Sequence, residues 1–302
     1  MRENRVVVQL DGGLGNQLFQ YAHALSVARQ KGASIFLDIQ TLQRRNRDVT
    51  PRDFSLGAFQ IEINQPPKHW AWLLQILWIF SRRRKRRDVF NQIFSKSLVE
   101  LRTESNFSYR NYPQLGAYTT CLKGYWQSPK YFESVKGELQ KMLQLKNVMS
   151  AESETLLAEI RAQQSLCVNV RRGDYTSDVG KAVHGLMGTD YYRNGTELIK
   201  LRSRIDRIYI FSDEPEWCRK NLALDPLQVI VGHEHAGLHF SSYLHLMASC
   251  KFFVIPNSTF GWWAAWLADA HSLQVVAPSN WFANPAIETD DLIPKSWTRI
   301  VG

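Results

Sequence analysis

Short apolar runs alternate with helix-like segments over the second half of this chain of 302 residues. The runs are rich in valine, isoleucine and phenylalanine, and the longer segments between them carry apolar residues at helical spacing. The predicted strands cover residues 165–170, 207–212, 228–231, 251–255 and 273–277, and the predicted helices cover 190–203, 215–222, 240–250 and 258–269. Such alternation is typical of a parallel sheet with helices on both faces. The fold class is therefore predicted to be α/β.

The start of the chain follows the same plan. A predicted strand at 6–10 is joined to a predicted helix at 16–31 by a glycine-rich turn, and a second strand is predicted at 34–39. Gly13 and Gly15 are predicted to give this turn its tight path. This opening indicates a second βαβ unit.

The middle of the chain is less regular. Residues 40–125 are rich in arginine and aromatic residues, and helices are predicted near 131–145 and 153–163. The second of these helices could carry the chain from one domain to the next. We expect two Rossmann-like domains, one over residues 1–160 and one over 161–302.

Two adjacent arginines stand at the end of the strand predicted at 165–170. Asn169 and Val170 lead directly into Arg171 and Arg172, which are followed by a glycine and Asp174. Arginine presents a planar fork of donors that matches phosphate oxygens, and it keeps its charge near neutral pH. From these residues alone, a phosphate site and a surface turn with solvated arginines are equally open interpretations.

Polar residues follow other predicted strands as well. Asp213 comes directly after 207–212, and Asn257, Ser258 and Thr259 lie between a strand and a helix. Unpaired N–H groups at a helix N-terminus favour anions. Because ligands of parallel α/β sheets bind beyond the carboxyl ends of the strands, we expect four residues to gather along one edge of the C-terminal domain: Arg171, Asp213, Ser258 and Thr259.

Composition points to an anionic partner and to a reducing compartment. The net charge is +9 and the isoelectric point is near 9.4, which suits a nucleotide sugar, an acidic membrane surface or a nucleic acid. The four cysteines are far apart and form no Cys-x-x-Cys pair, so neither a zinc site nor a disulfide framework is indicated. The first residues lack the apolar stretch of a signal peptide, and a cytoplasmic location is expected.

One apolar segment is followed by a dense basic run. Residues 69–80 contain three tryptophans, and 82–87 are all arginine or lysine. The segment is too short to cross a bilayer, which needs about 20 apolar residues. It is either a core helix followed by a solvated basic loop, or an interfacial helix through which residues 70–87 make peripheral contact with an anionic membrane.

Four blocks of the sequence together resemble a known family. They read GGLGNQLFQYA at 12–22, RRGDY at 171–175, FSDE at 211–214 and NSTFGWWAAWL at 257–267. In this order they are similar to the family 11 glycosyltransferases, the α-1,2-fucosyltransferases that use GDP-fucose. The resemblance implies the GT-B architecture, in which two Rossmann-like domains face each other across a cleft. It also implies that the C-terminal domain binds GDP-fucose and the N-terminal domain presents a galactose-terminated glycan.

The resemblance assigns roles to several residues of these blocks. It implies that Arg171 contacts the β-phosphate, that Arg172 braces the loop or the nucleotide, and that Asn16 lies near the fucose. Asp213 is a candidate to read the guanine edge, although from the residues alone an N-cap for the helix at 215 is the more common role. The family usually has histidine where this chain has Asn169, which cannot carry a proton or a positive charge.

The same blocks bear on the chemistry. No Asp-x-Asp pair occurs in the chain, so a metal held by that motif is excluded and fixed cations must neutralise the leaving diphosphate. We therefore expect no cofactor and no metal. The attacking hydroxyl also needs a proton acceptor, for which Asp174 and Asp178 are candidates, although Asp174 could equally hold Arg172 in place.

The sequence thus predicts an inverting, metal-independent transfer of L-fucose from GDP-fucose to the 2-hydroxyl of a terminal galactose. Two alternatives stay open. One is a GT-B glycosyltransferase that uses another nucleotide sugar. The other is a basic protein that binds anionic lipid or nucleic acid, although the sequence has no nucleic-acid fold signature and we expect no nucleic-acid partner.

Overall fold

The computed structural model describes residues 3–43, 52–81, 84–94, 98–104, 106–112, 116–268 and 274–302. The chain divides into two compact units, Met1–Leu143 and Gln144–Gly302. The division falls before the boundary expected at residue 160. The reason is that the helix at 151–162 belongs to the second unit, where Ser153 Oγ lies 2.9 Å from His235 Nδ1.

The first unit contains a four-stranded parallel sheet. Its strands are β1 (Arg5–Gln9), β2 (Ser34–Asp38), β3 (Val99–Thr103) and β4 (Thr119–Lys123), in the order β2-β1-β4-β3. Its α-helices within the described residues are α1 (Leu14–Lys31), α2 (Ala71–Ser81), α3 (Arg84–Phe94) and α4 (Lys136–Met142). The chain leaves β1 on one side to reach β2 and later returns to its other side at β4, so β1 is the topological switch point of this sheet.

Apolar side chains of α2 cover part of this sheet. Leu74, Leu77 and Trp78 pack with Val7 and Leu101 in one buried cluster. Trp78 Nε1 also donates a hydrogen bond of 2.6 Å to Asp38 Oδ2 at the end of β2. From Arg84 onward the basic run that follows this helix is not the loop that one interpretation expected, because Arg84 begins α3. Residues 82–83 and the side chains of 84–86 lie outside the described residues.

The second unit contains a six-stranded parallel sheet. Its strands are β5 (Ser165–Val170), β6 (Arg207–Ser212), β7 (Val229–Val231), β8 (Phe252–Val254), β9 (Gln274–Pro278) and β10 (Thr298–Ile300), in the order β10-β9-β8-β5-β6-β7. Its α-helices within the described residues are α5 (Ala151–Ala162), α6 (Asp178–Val183), α7 (Thr189–Lys200), α8 (Pro215–Asn221), α9 (Ser241–Ala248) and α10 (Thr259–Leu267).

Strand β5 is the centre of the second sheet. All six of its residues are buried, and it pairs with β6 on one side and β8 on the other. The first strand of this unit is therefore its topological switch point, where α/β sheets bind ligands beyond the carboxyl ends of the strands. Arg171 is the first residue beyond that end.

None of the helices within the described part of the chain combines the length and the apolar character needed to cross a membrane.

Candidate functional site

Arg171 is held between two carboxylates at the carboxyl end of β5. Its Nη2 donates a hydrogen bond of 2.5 Å to Asp174 Oδ1, and its Nη1 lies 2.9 Å from Asp213 Oδ2. Asp213 directly follows β6, the neighbour of β5, so parallel pairing brings the two residues together. The Arg171 side chain keeps 27% of its surface exposed. It is thus fixed in place but still accessible.

The Arg171 guanidinium stays positively charged although it is partly buried. Burial acts to lower the pKa of Arg171, but Asp213, Asp174 and Tyr175 outweigh it and raise that pKa above its ordinary value. Burial also raises the pKa of Asp213, against the opposing effect of Arg171 and of the Arg172 N–H. A permanently charged and partly exposed guanidinium can bind an anion that replaces one of its carboxylate partners.

Arg172 points to other partners. Its backbone N–H donates to Asp213 Oδ1 at 2.9 Å, and its Nε donates to Glu214 Oε2 at 3.1 Å. Its guanidinium lies 3.8 Å from the ring centre of Trp217, which is a close cation–π contact. Arg172 therefore contacts the turn after β6, and its alternative role at the nucleotide stays a prediction.

A chain of contacts links Arg171 to the loop after β8. The Arg171 guanidinium lies 5.6 Å from the ring centre of Tyr175, whose hydroxyl donates to the Asn257 carbonyl oxygen at 3.1 Å. The Asn257 side chain donates in turn to the carbonyl oxygens of His184 at 2.6 Å and Trp281 at 3.2 Å. The His184 ring stacks on Tyr175 with a centroid distance of 4.4 Å. Asn257 is buried, and its hydrogen bonds join the loop after β8 to the segments around His184 and Trp281.

Ser258 and Thr259 lie at the start of α10. Ser258 is the N-cap and Thr259 is the first helical residue, as the sequence predicted. Among the described residues, the Ser258 side chain makes no capping hydrogen bond to this helix. The first-turn N–H groups of an α-helix have no acceptor within the helix, so this end is suited to an anion.

The Asn169 side chain packs against β6 and α10. Its side chain is buried, and Nδ2 donates to the Phe211 carbonyl oxygen on β6 at 3.1 Å. A Cβ atom added to Gly261 of α10 would lie 2.6 Å from Asn169 Oδ1. Asn169 therefore occupies the tight space between β5, β6 and α10, where it stabilises the packing of the strand end.

The glycine-rich turn of the first unit follows β1 at the other switch point. Gly12 has a left-handed φ of +79°, and a Cβ atom there would lie 2.4 Å from Asn16 Nδ2. Gly13 is the extended N-cap of α1, and Gly15 is a buried residue within that helix. The turn therefore needs glycine at position 12, whereas Gly13 and Gly15, for which the sequence predicted the tight path, have ordinary extended and helical backbone.

Asn16 and Gln17 brace this turn from the first turns of α1. Asn16 is inside the helix and does not cap it, and its Oδ1 accepts a hydrogen bond of 3.0 Å from Gln127 Nε2. The buried Gln17 donates to the carbonyl oxygens of Gly12 at 2.9 Å and Asp53 at 2.8 Å, and it accepts from the Ser55 N–H at 2.9 Å. The half-buried Asn16 is thus held over the turn.

Comparison with known proteins identifies the family. The family model described as glycosyl transferase family 11 matches residues 71–301. The chain belongs to glycosyl transferase family 11. The matched range includes three of the four sequence blocks, those at 171–175, 211–214 and 257–267, and it establishes the chain as a glycosyltransferase.

Members and relatives of family 11 align over most of the chain. An alpha-1,2-colitosyltransferase from Escherichia coli is 28% identical over 98% of both chains, and the O-antigen biosynthesis glycosyltransferase WbnK from Escherichia coli is 30% identical over 91% of this chain and 94% of its own. A galactoside alpha-(1,2)-fucosyltransferase 1 from Plecturocebus brunneus is 23% identical over 85% of this chain and 64% of its own.

A solved structure shows the fold of this family 11 chain. The crystal structure of fucosyltransferase NodZ from Bradyrhizobium superposes with a TM-score of 0.53 at 16% identity, and the match covers 89% of this chain and 94% of the other. Together with the two parallel sheets, this similarity confirms the predicted GT-B class with two Rossmann-like domains.

The structure corrects two local roles of residues in the family 11 blocks. Asp213 is not the N-cap of α8, because Glu214 takes that position and Asp213 turns to Arg171 and Arg172. Asp174 holds Arg171 and not Arg172, because Glu214 and Asp213 already occupy Arg172. Asp178, the second candidate proton acceptor, is an exposed residue at the start of α6.

Some site residues were missed by sequence reasoning. Tyr175 and Glu214 lie inside the RRGDY and FSDE blocks, so their position next to the assigned residues was a usable signal. Trp217 and His184 had no such signal, because their contacts depend on how α8 and the segment around α6 fold back onto the strand ends. In the described part of the chain, no group of three or more His, Cys, Asp or Glu side chains is arranged to hold a metal ion.

Proposed function

We propose that this chain transfers L-fucose from GDP-fucose to the 2-hydroxyl of a terminal galactose, with inversion at the anomeric carbon and without a bound metal. The observation that carries the proposal is the position of Arg171. It is a charged, partly exposed guanidinium at the switch point of the second sheet, fixed by carboxylates from two neighbouring strand ends.

The proposed chemistry starts with the leaving group. The bond between the anomeric carbon and the β-phosphate oxygen breaks, and its electron pair stays on GDP. Charge therefore grows on the diphosphate while the sugar becomes oxocarbenium-like, and donors aimed at that charge lower the barrier. Arg171 supplies two N–H vectors in a plane, and the N-terminus of α10 behind Ser258 and Thr259 supplies backbone donors.

Arg171 would exchange partners when the donor binds. Its two carboxylate partners hold it in place in the absence of an anion. A diphosphate can compete with Asp174, whose side chain is about one-third exposed, while Asp213 is less exposed and keeps its hydrogen bond from the Arg172 N–H. Asp174, once displaced from Arg171, is our candidate to accept the proton of the attacking hydroxyl.

Asp213 is our candidate for guanine recognition. Its Oδ1 accepts the Arg172 N–H, whereas its buried Oδ2 forms an ion pair with Arg171 but accepts no hydrogen bond from the described residues, so both oxygens keep an acceptor position for a ligand. Guanine presents an N1–H and an exocyclic amine on one edge, which match such an acceptor pair. We propose that Asp213 couples base recognition to the placement of Arg171.

A second donor is supported by one comparison. The relative that aligns over 98% of both chains carries a colitosyl name. A GDP-linked colitosyl donor is therefore the alternative to GDP-fucose at the same site.

The cysteines support the cytoplasmic location that we propose. All four are buried free thiols, which is typical of proteins in a reducing compartment.

Titration calorimetry with GDP, ADP and UDP tests the nucleotide, in wild type and in Asp213→Asn. We expect wild type to prefer GDP, and we expect Asp213→Asn to lower GDP affinity by about 10-fold or more with a smaller effect on ADP. Asp190→Asn is the matched control, because Asp190 is an exposed carboxylate that pairs with Arg193 on the surface.

Transfer assays with GDP-fucose and the colitosyl donor then separate the two sugars, and NMR of the product gives the linkage and the anomeric configuration. Equal affinity for the three nucleotides would contradict the proposal, as would a product linked through a hydroxyl other than that at carbon 2.

A further inference from the structure

Helix α2 carries apolar side chains on both of its long faces. One face packs into the first unit through Leu74, Leu77 and Trp78. The opposite face exposes five large apolar side chains to solvent, which are Trp72, Leu73, Ile76, Ile79 and Phe80. Trp72 is 63% exposed and Ile79 is 54% exposed. A surface helix of a globular protein normally has polar residues in these places.

The five exposed side chains form one continuous stripe, which we call the α2 face. At 100° per residue they fall within an arc of about 120°, and the buried residues occupy a separate arc on the other side. The only polar side chains of the helix, Gln75 and Ser81, lie outside this arc. Contiguous apolar patches of this kind mark interaction sites.

Positive charge adjoins one end of the α2 face. The sequence has arginine or lysine at every position from 82 to 87, directly after the helix, and the exposed Lys68 precedes it. Arg87 is engaged inside the protein, where it donates to Thr103 Oγ1 and Asp88. In the sequence, a basic run therefore directly follows a helix whose exposed face contains an indole.

We infer that the α2 face docks on an anionic membrane surface. Indole, phenyl and aliphatic side chains favour the boundary between headgroups and acyl chains, and a neighbouring basic run is attracted to anionic headgroups. A second copy of the chain fits less well than an anionic surface, because both copies carry the same net charge of +9. The inference does not depend on the proposed function, since vesicle binding requires no nucleotide.

Flotation with vesicles tests this inference on the full-length protein. Wild type is expected to float with phosphatidylglycerol-containing vesicles at low salt, and to bind at least 10-fold more weakly to pure phosphatidylcholine vesicles or in 0.5 M NaCl. The triple variant Trp72→Gln, Ile76→Gln, Ile79→Gln is expected to bind anionic vesicles at least 10-fold more weakly. The triple variant Arg84→Gln, Lys85→Gln, Arg86→Gln leaves Arg87 in place and should also weaken binding.

Matched controls lie on the second unit. Leu201→Gln and Leu227→Gln remove exposed apolar side chains outside the α2 face and should float like wild type. If the triple apolar variant fails to fold, an environment-sensitive label on Ile79→Cys replaces it. That label should shift to the blue on anionic vesicles, whereas the same label on Leu227→Cys should not.

Three results would overturn the inference. They are absence of wild-type flotation at low salt, flotation of the folded apolar variant at wild-type affinity, or a label at position 79 that does not respond to vesicles. Sedimentation velocity detects the rival occupant: a dimer that the apolar variant abolishes, without vesicle binding by wild type, would assign the α2 face to self-association.

Discussion

At the scale of single residues, the proposed donor site depends on close contacts that leave little room for substitution. Arg171 is held by Asp213, and Asp213 is held by the Arg172 N–H. Gly173 completes this arrangement, because a Cβ atom there would lie 2.5 Å from Asp213 Oδ2. The glycine of the RRGDY block is thus required by the carboxylate that faces it.

We predict that Gly173→Ala displaces the Asp213 carboxylate and thereby loosens Arg171. GDP affinity, measured by titration calorimetry, should fall by about 10-fold, the magnitude of one lost charged contact. Gly137→Ala is the control, because a Cβ atom at Gly137 meets nothing within 4 Å. Wild-type GDP affinity in Gly173→Ala would show that Asp213 does not position Arg171, the arginine proposed to bind phosphate.

A second prediction at this scale concerns His23. The ring is fully enclosed and lies 4.3 Å from the Trp126 ring and 4.7 Å from the Tyr131 ring, and burial lowers the pKa of His23 to about 3. As the pH falls below 6.5, His23 therefore binds a proton in the unfolded chain but stays neutral in the folded chain. Stability due to neutral His23 is present above pH 6.5 and is lost progressively as the pH falls toward 3.

At pH 5 this difference is worth roughly 2 kcal/mol, at about 1.4 kcal/mol per pH unit. The measurement is urea unfolding of wild type and His23→Phe at pH 7.5 and pH 5. The loss of unfolding free energy on acidification should be smaller in the variant by that amount. An equal loss in both proteins would mean that His23 does not resist protonation in the folded state.

At the scale of elements, sequence periodicity was a good guide wherever strands are buried on both faces. The helices and strands predicted after residue 165 agree with β5 to β9 and α7 to α10 within a few residues. Helix α6 and strand β10 were not predicted. Strand β10 has three half-buried residues at the sheet edge, and α6 is a single exposed turn and a half, so neither has an apolar pattern to detect.

The site was predictable to the same extent and for a related reason. Parallel strands place their carboxyl ends together, so Arg171 and Asp213 could be predicted to meet from their positions after strands. The arginine partner of each carboxylate could not be predicted, because it depends on side-chain geometry within one turn. Asp174 accepts a hydrogen bond from Arg171, whereas Glu214 accepts one from Arg172. The sequence also did not show that Gly12 is the residue with left-handed φ, because a run of glycines does not indicate which of them adopts that conformation.

Close packing of α7 on the sheet gives a prediction for this scale. A Cβ atom added to Gly195 would lie 2.9 Å from Val254 Cγ1 on β8 and 3.3 Å from Val276 Cγ1 on β9. We expect Gly195→Ala to destabilise the protein by about 1–2 kcal/mol, because overpacking exceeds the gain in helix propensity. Thermal unfolding beside Gly137→Ala measures this, and a variant as stable as that control would show that α7 can move away from β8.

At the scale of the whole molecule, the two units carry different parts of the proposed reaction. The second unit contains the cation and the helix N-terminus proposed to receive the diphosphate. The first unit contains the glycine turn with Asn16, and it also contains the α2 face on its surface. The division after Leu143 gives α5 to the second unit. The sequence alone does not indicate this, because a helix at that position could equally connect the two domains.

The most direct test of this account measures fucose transfer in the presence of EDTA by wild type, Arg171→Ala and the surface control Arg193→Ala. We predict that wild type and the control keep their full rate, and that Arg171→Ala loses about 10²- to 10³-fold in kcat while it remains folded by circular dichroism. A wild-type enzyme that EDTA silences and magnesium or manganese restores would contradict neutralisation of the leaving group by a fixed guanidinium, and so would an Arg171→Ala enzyme that transfers fucose at the wild-type rate.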